Sequence, residues 1–499
     1  MSTGLYRVAS AIPHGVTARA VHVDVHVAQG LPSFTIVGVP DQGCRETRDR
    51  VRAAVINAGD RWPSIRITVA VSPSPRMPPT AVLDLPIAVG LLVASGQLQA
   101  PDGEELLGGF GELGLDGSVR PVTGHLPILC TVQGDRVFAP PMRIEPLAFQ
   151  PGAAPVIELR HLSQLDAAIR RACPLPGRPY VASGAKAVQP TGNPDQLKGL
   201  STLERALMIA IAGGHHALIV GAEGPDRSGV LQALTRLVPD LDDSEWREQI
   251  LIQSAAGADL YGPAAYRRNR PVRVVDPGWS LAHIVGGMSS TMRPGEFSLA
   301  HRGLLVMDNL HLFADRVLQV LASTLDARSV RVARAARSVE LPAHFQLVAA
   351  VPRCLCGAPT TLDCVCSESA RARFLSKLRG GLLDRIEVVI DLDRLSGFDP
   401  LSPIRDLDIT RIAHDPISDE VLPTVAPVDP HARQALNDAV TGGRLSHRGM
   451  AIAWRVADTI QRLTQTAGPI GLDVMLEALH LRYGNPDGAP YLHLTPSPR

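Results

Sequence analysis

Residues 216–228, HALIVGAEGPDRS, constrain this chain more than any other stretch, because they join a short apolar run to a glycine turn and the start of a helix. Ala217 to Val220 read as a parallel strand buried on both faces, and the run GVLQALTRLV after Ser228 has helical spacing. Strand, glycine loop and helix form the setting in which backbone N–H groups wrap a phosphate. A lysine then reaches the outer phosphates and a hydroxyl holds Mg²⁺. Gly221, Gly224 and Ser228 suit that chemistry, whereas Asp226 replaces a loop glycine and Arg227 replaces the lysine. Arginine keeps the charge but is a planar fork on a longer stem, not a compact point charge. A carboxylate at roughly 4 Å from a phosphate costs about 4 kcal/mol at an effective dielectric of ~20, about a thousandfold in affinity. Alone, the stretch is more often an ordinary α/β turn, so the rest of the chain decides.

Of the 499 residues, 45% are apolar and 20% charged, which is globular composition with room for roughly two to four domains. Lys+Arg and Asp+Glu both number 49, so any nucleic-acid surface must be local. No secretory leader opens the sequence and no apolar run reaches the ~18 residues of a membrane span, so no membrane association and a cytoplasmic location are expected. Seven cysteines, four of them between Cys354 and Cys366, point to metal or redox chemistry and not to a secreted disulfide scaffold.

The first third reads as α+β. ARAVHVDVHV alternates, SFTI gives a second strand, residues 47–57 have helical spacing, residues 65–71 a third strand, and residues 83–94 an apolar helix. GELGLDGSVRPV reads as a hairpin with Gly117 in its turn. The segments GLPSFTIVGVPD, ETRDRVRAAVINAG, LDLPIAVGLLVASGQL and GELGLDGSVRPVTGHLP resemble the N-terminal, Lon-protease-like domain of the ComM/YifB family of magnesium-chelatase-like AAA+ ATPases. The resemblance continues in the family's order through ERALMIAIAGGHHALIVG, RPGEFSLAHRGLLVMDNLHLF, LPAHFQLVAA, the paired cysteines, GGLLDRIE and LSHRGMAIAWRVADTI. It implies a multidomain α/β protein: a Lon-protease-like α+β domain at 1–173, a linker at 174–195, and an AAA+ P-loop α/β domain at 196–393 with a cysteine-pair insert at 354–366. An irregular linker at 394–428 and a C-terminal helical lid at 429–499 complete it. A Ser–Lys protease dyad is excluded, because residues 2–164 contain no lysine to activate Ser72 or Ser74.

The acidic element of an NTPase is an apolar strand ending in Asp, for Mg²⁺, and then Glu, to activate water. GLLVMDNLHLF supplies Asp308, but Asn309 stands at the general-base position and cannot take a proton. The resemblance further implies a water-positioning Asn where this chain has Pro352, and paired histidines where it has Asp276 and Pro277. With Asp226 and Arg227, the hydrolytic apparatus departs from the family at five places. Arg385 and Arg448 match, respectively, the arginine that the family points into a neighbouring subunit's site and the arginine of its lid. No catalytic set is intact, so ATP/Mg binding is expected to be weak or lost.

Cys354-x-Cys356 and Cys364-x-Cys366 suit a tetrahedral thiolate site for structural Zn²⁺, or thiols that pack a loop. Arg328, Arg331, Arg334 and Arg337 alternate with valines in a predicted hairpin. That hairpin is expected either to gather guanidinium groups on one side toward DNA phosphates or to be a solvated surface. Three functions stand: an ATP-binding or pseudo-ATPase partner in DNA processing (recombination, transformation), an active ATP-driven DNA translocase, and an interaction scaffold that binds no nucleotide. The resemblance implies a ring-forming homo- or hetero-oligomer, a hexamer in form, with an active paralogue as a candidate partner.

Overall fold

The computed structural model describes residues 4–37, 41–73, 81–101, 105–142, 155–171, 201–221, 227, 229–231, 234, 237–258, 260, 268–288, 292–334, 337–352, 354–356, 364–367, 369–370, 373–374, 381–392, 427–465 and 467–483. Gly224, Asp226, Ser228, the expected linker at 174–195 and residues 394–426 of the second expected linker lie outside the described residues.

The first unit is built on a seven-stranded mixed sheet. Its strands are β1 (Gly4–His14), β2 (Thr17–Ala28), β3 (Ser33–Ile36), β4 (Arg66–Ser72), β5 (Leu107–Gly109), β8 (Arg136–Ala139) and β9 (Val156–Glu158), in the order β3-β4-β2-β1-β5-β8-β9. A short hairpin, β6 (Glu112–Leu113) with β7 (Val119–Arg120), closes through Gly117 at φ +89°, and helix α4 (Leu165–Arg171) follows β9. Alternation along β2 buries Val21, Val23, Val25 and Val27. Against them lies helix α2 (Asp84–Ala94), which follows α1 (Asp41–Asn57) and is buried around its whole circumference, every residue but Asp84 being uncharged. Gly90 is required there, since a Cβ would sit 2.6 Å from Val25. Asp84 opens α2 and pairs with Arg50 at 2.7 Å; burial outweighs that cation and pushes its carboxyl up to about 6.

The second unit carries a five-stranded parallel sheet of β10 (Ala217–Val220), β11 (Val272–Val274), β14 (Leu304–Met307), β17 (Gln346–Val351) and β18 (Val388–Asp391). The order β11-β14-β17-β10-β18 places the first strand between the fourth and the fifth, which makes β10 the topological switch point. Strand alternation divides the core. Ala217, Ile219, Val306, Val348 and Ile390 face helix α5 (Thr202–Gly213) and the C-terminal helices. Leu218, Val220, Met307, Ala349 and Val351 face Phe297, Phe313 and helix α7 (Asp315–Ala327). Two antiparallel hairpins flank that second face: β12 (Gly286–Met288) with β13 (Met292–Pro294), and β15 (Ser329–Arg334) with β16 (Arg337–Pro342).

Helices start where capping predicts. Ser201 and Glu204 form a capping box on α5, as do Asp242 and Glu245 on α6 (Asp243–Ala256). Three C-terminal helices, α8 (Pro430–Thr441), α9 (His447–Thr464) and α10 (Leu472–Tyr483), pack on the first face of the sheet. The units meet where helix α3 (His125–Leu129) abuts α6: Ser254 accepts the Gly124 N–H through its carbonyl and the Leu126 N–H through its hydroxyl. Leu126, Ile250 and Leu260 close that junction, and His125 beside them is buried. Among the described residues no helix is long and apolar enough to cross a membrane.

Candidate nucleotide site and its opposite edge

All five strands run the same way, so one edge of the sheet collects their C-termini and the other their N-termini. Ligands of open α/β sheets bind at the C-terminal edge, beside the switch point. There Gly221 leaves β10 and donates its N–H to the Val351 carbonyl at 3.2 Å, and Asp308 leaves β14. Arg227 is 3% exposed, and its guanidinium reaches both acceptors of the acidic element: Asp308 at 3.1 Å and the Asn309 amide oxygen at 3.1 Å. Asn309 adopts φ +51°, a left-handed conformation that Asn tolerates, and donates its own N–H to Asp308 at 2.8 Å. Pro352 is buried just past β17, and Asp276 turns its chain by accepting the Gly278 N–H at 2.7 Å. Asp391, 3% exposed and paired in register with Val220, is a carboxylate at this edge that the sequence reading passed over.

Arg227 thus lies on the carboxylate that a Mg²⁺ ion or its waters would use, while 39% of the Asp308 side chain stays exposed.

Arg448 does not join this group. It lies in the first turn of α9 and donates to Asp326 near the end of α7, at the N-terminal edge. A four-residue strand separates the edges by about 13 Å, so Arg448 and Arg227 lie at opposite edges of the sheet. Arg385 is there too: its Nε donates to Asp326 at 2.8 Å, and its Nη2 donates to the second carboxylate oxygen. Burial would raise the Asp326 carboxyl, but Arg385 and Arg448 hold it below its ordinary value.

Below this pair runs a buried chain. Glu387 accepts from Arg455 and pairs with His215 Nδ1, and His215 Nε2 meets the Thr459 hydroxyl at 2.8 Å. Burial opposes ionisation of Glu387, yet Arg455 and His215 hold its carboxyl far below the usual range. Hydroxyl, imidazole and carboxylate in line resemble a hydrolase relay, but His215 and Thr459 are 0% exposed, so no substrate reaches them. The network docks α9 on the sheet.

Past β17, the Sγ atoms of Cys354, Cys356, Cys364 and Cys366 all lie within 4.8 Å of one another, with Cys354 and Cys364 at 3.1 Å. Tetrahedral Zn²⁺ with Zn–S near 2.3 Å spaces its sulfurs by about 3.8 Å, so the four thiols fit that ion.

The arginine hairpin forms. Arg328 is the left-handed cap of α7 at φ +53°, before the strand begins. Val330 and Val332 turn inward, so Arg331 turns outward opposite Glu340, 4.0 Å away. Arg334 and Arg337 pair with each other at the far end of the register.

Comparison with known sequences follows the same layout. The family described as "Magnesium chelatase, subunit ChlI" matches residues 194–399, and the one described as "Subunit ChlI of Mg-chelatase" matches residues 23–140. An uncharacterised protein of Mycobacterium tuberculosis is 34% identical over 394 residues, covering 78% of this chain and 77% of that protein. The uncharacterised protein YifB of Escherichia coli is 32% identical over 382 residues (76% and 74%), and the competence protein ComM of Haemophilus influenzae 31% over 393 (76% and 75%).

Proposed function

The chain belongs to the magnesium-chelatase-like ComM/YifB family, and from that premise we propose that it serves DNA processing as a ring-forming partner whose own nucleotide site does not drive efficient hydrolysis. One observation carries the reading: the Arg227 guanidinium lies on Asp308 and Asn309, where an active site keeps a carboxylate for Mg²⁺ and a second one for water. Asn309 orients a water without accepting its proton, and Pro352 offers no side-chain amide to position it.

In this reading residues 1–173 are a Lon-protease-like domain kept for shape, and the four thiols hold Zn²⁺ as a structural cross-link. Four thiolates leave no open position for substrate. The competence named in ComM is that protein's; recombination or transformation is the corresponding setting here, in the cytoplasm and with an active paralogue in the ring.

The test is phosphate release by the purified protein with Mg²⁺ and ATP, with and without single- and double-stranded DNA. The reading expects no DNA-stimulated turnover, together with DNA retention that weakens steeply with salt. Stimulated turnover supports an ATP-driven translocase instead, and absence of both activities supports an interaction scaffold.

A further inference from the structure

The N-terminal edge carries an arginine-rich cleft lined by Arg328, Arg385, Arg448, Arg455, Asp326 and Glu387. Four arginines and two carboxylates thus share one lining. Glu387 is buried and engaged by Arg455 and His215, which leaves Asp326 as the carboxylate that meets both Arg385 and Arg448. These two arginines come from different parts of the chain: Arg385 precedes β18 in the sheet domain, and Arg448 opens α9 of the helical lid. Asp326 sits in the last turn of α7, where the helix dipole disfavours a negative charge, so its place there depends on the arginines it holds.

We propose that Asp326 is an internal latch: it pins the lid to the sheet domain by holding Arg385 and Arg448, and a phosphate group entering the cleft competes with it for the same two guanidinium groups. Planar arginine forks bind carboxylate and phosphate in the same bidentate manner, so one anion replaces the other without rebuilding the site. The latch therefore couples lid position to phosphate at the edge opposite the one where Arg227 meets Asp308. Its purpose rests on the ring-partner reading, whereas its test does not involve hydrolysis.

Inorganic tripolyphosphate is the probe, titrated into the full-length protein and into Asp326→Asn by calorimetry, with amide exchange followed in residues 447–451. In the unmodified protein, saturating probe should raise exchange in that first turn of α9. Asp326→Asn should bind the probe at least tenfold tighter and show raised exchange before probe is added. The gain should persist when Arg227→Ala disables the protein's own loop and vanish when Arg448→Ala is added, which assigns the phosphate to the cleft and not to the loop. Equal affinity of Asp326→Asn and the unmodified protein, or a gain that survives Arg448→Ala, overturns the latch. Should Asp326→Asn fail to fold, the probe-induced exchange in the unmodified protein decides alone, and no change there also overturns it. DNA-stimulated ATP turnover would refute the ring-partner reading and leave these outcomes as they are.

Discussion

The two edges of the five-stranded sheet are satisfied in opposite senses. At the C-terminal edge one arginine, Arg227, occupies the acidic element Asp308–Asn309; at the N-terminal edge one carboxylate, Asp326, occupies the arginines Arg385 and Arg448. The difference lies in what each edge has kept. Substitutions fall on the groups that would touch a nucleotide's phosphates, Mg²⁺ and attacking water, whereas the arginines that would face a neighbour are intact. A protein that has lost turnover but still takes part in an assembly would keep its residues in that pattern.

The comparison breaks most decisively if chemistry can be restored at one edge alone. Combining Asp226→Gly, Arg227→Lys and Asn309→Glu is expected to raise ATP turnover by about 10²–10⁴-fold, the range a general base supplies, as measured by phosphate release. No gain would mean that the C-terminal edge has lost its shape as well as its chemistry.

At the other edge, Arg455→Ala leaves Glu387 buried beside His215 without its arginine. It should cost about 3–5 kcal/mol in denaturant unfolding, with loss of α9 docking first. The matching change in an exposed pair should do almost nothing.

A control lies outside both edges, at the junction of the two units. Burial pushes the His125 imidazole down to about 4, against a weaker opposing hydrogen bond to the Val122 carbonyl. The folded-state value is depressed, so the unfolded chain takes up the proton first as pH falls. Stability is complete above about pH 6.5 and is lost as pH falls toward about 4, by about 3 kcal/mol in all. Asp84, raised to about 6, has the opposite sign across its own window, its contribution being lost as pH rises from 3.8 through 6. Subtracting the profile of His125→Asn from that of the unmodified protein therefore isolates the histidine. A flat difference would place His125 in solvent.

The smallest effect is expected at the hairpin. Arg331→Ala removes an exposed contact with Glu340 and should change stability by no more than about 0.5 kcal/mol. If DNA is held there, the same change should lower the slope of log affinity against log salt by about one.

Much of this fold is legible in the residues, for physical reasons. β10 and β14 are buried on both faces, so ALIV and LLVM show as unbroken apolar runs, and the lid shows because helical spacing persists through residues 429–483. β1 was not foreseen: its buried stretch, Val8 to Ala11, includes Ser10 and two alanines, which blur the period of two. The hairpin was foreseen, because Val330, Arg331 and Val332 alternate with the period of a strand. The substitutions in the phosphate loop and the acidic element stand in the sequence one by one, whereas the contact between Arg227 and Asn309 spans 82 residues. Asp326 meets Arg385 and Arg448 across 59 and 122 residues, and no local pattern carries that pairing.

The central claim is that Arg227 has taken the place of a divalent cation at Asp308. It is tested most directly by titrating a labelled ATP analogue into the purified protein with and without Mg²⁺, beside the Asp226→Gly, Arg227→Lys variant. The account predicts that Mg²⁺ makes no difference to the unmodified protein, whether analogue binding is weak or absent, and that Mg²⁺-dependent binding returns in the variant. Micromolar, Mg²⁺-dependent binding by the unmodified protein would contradict it.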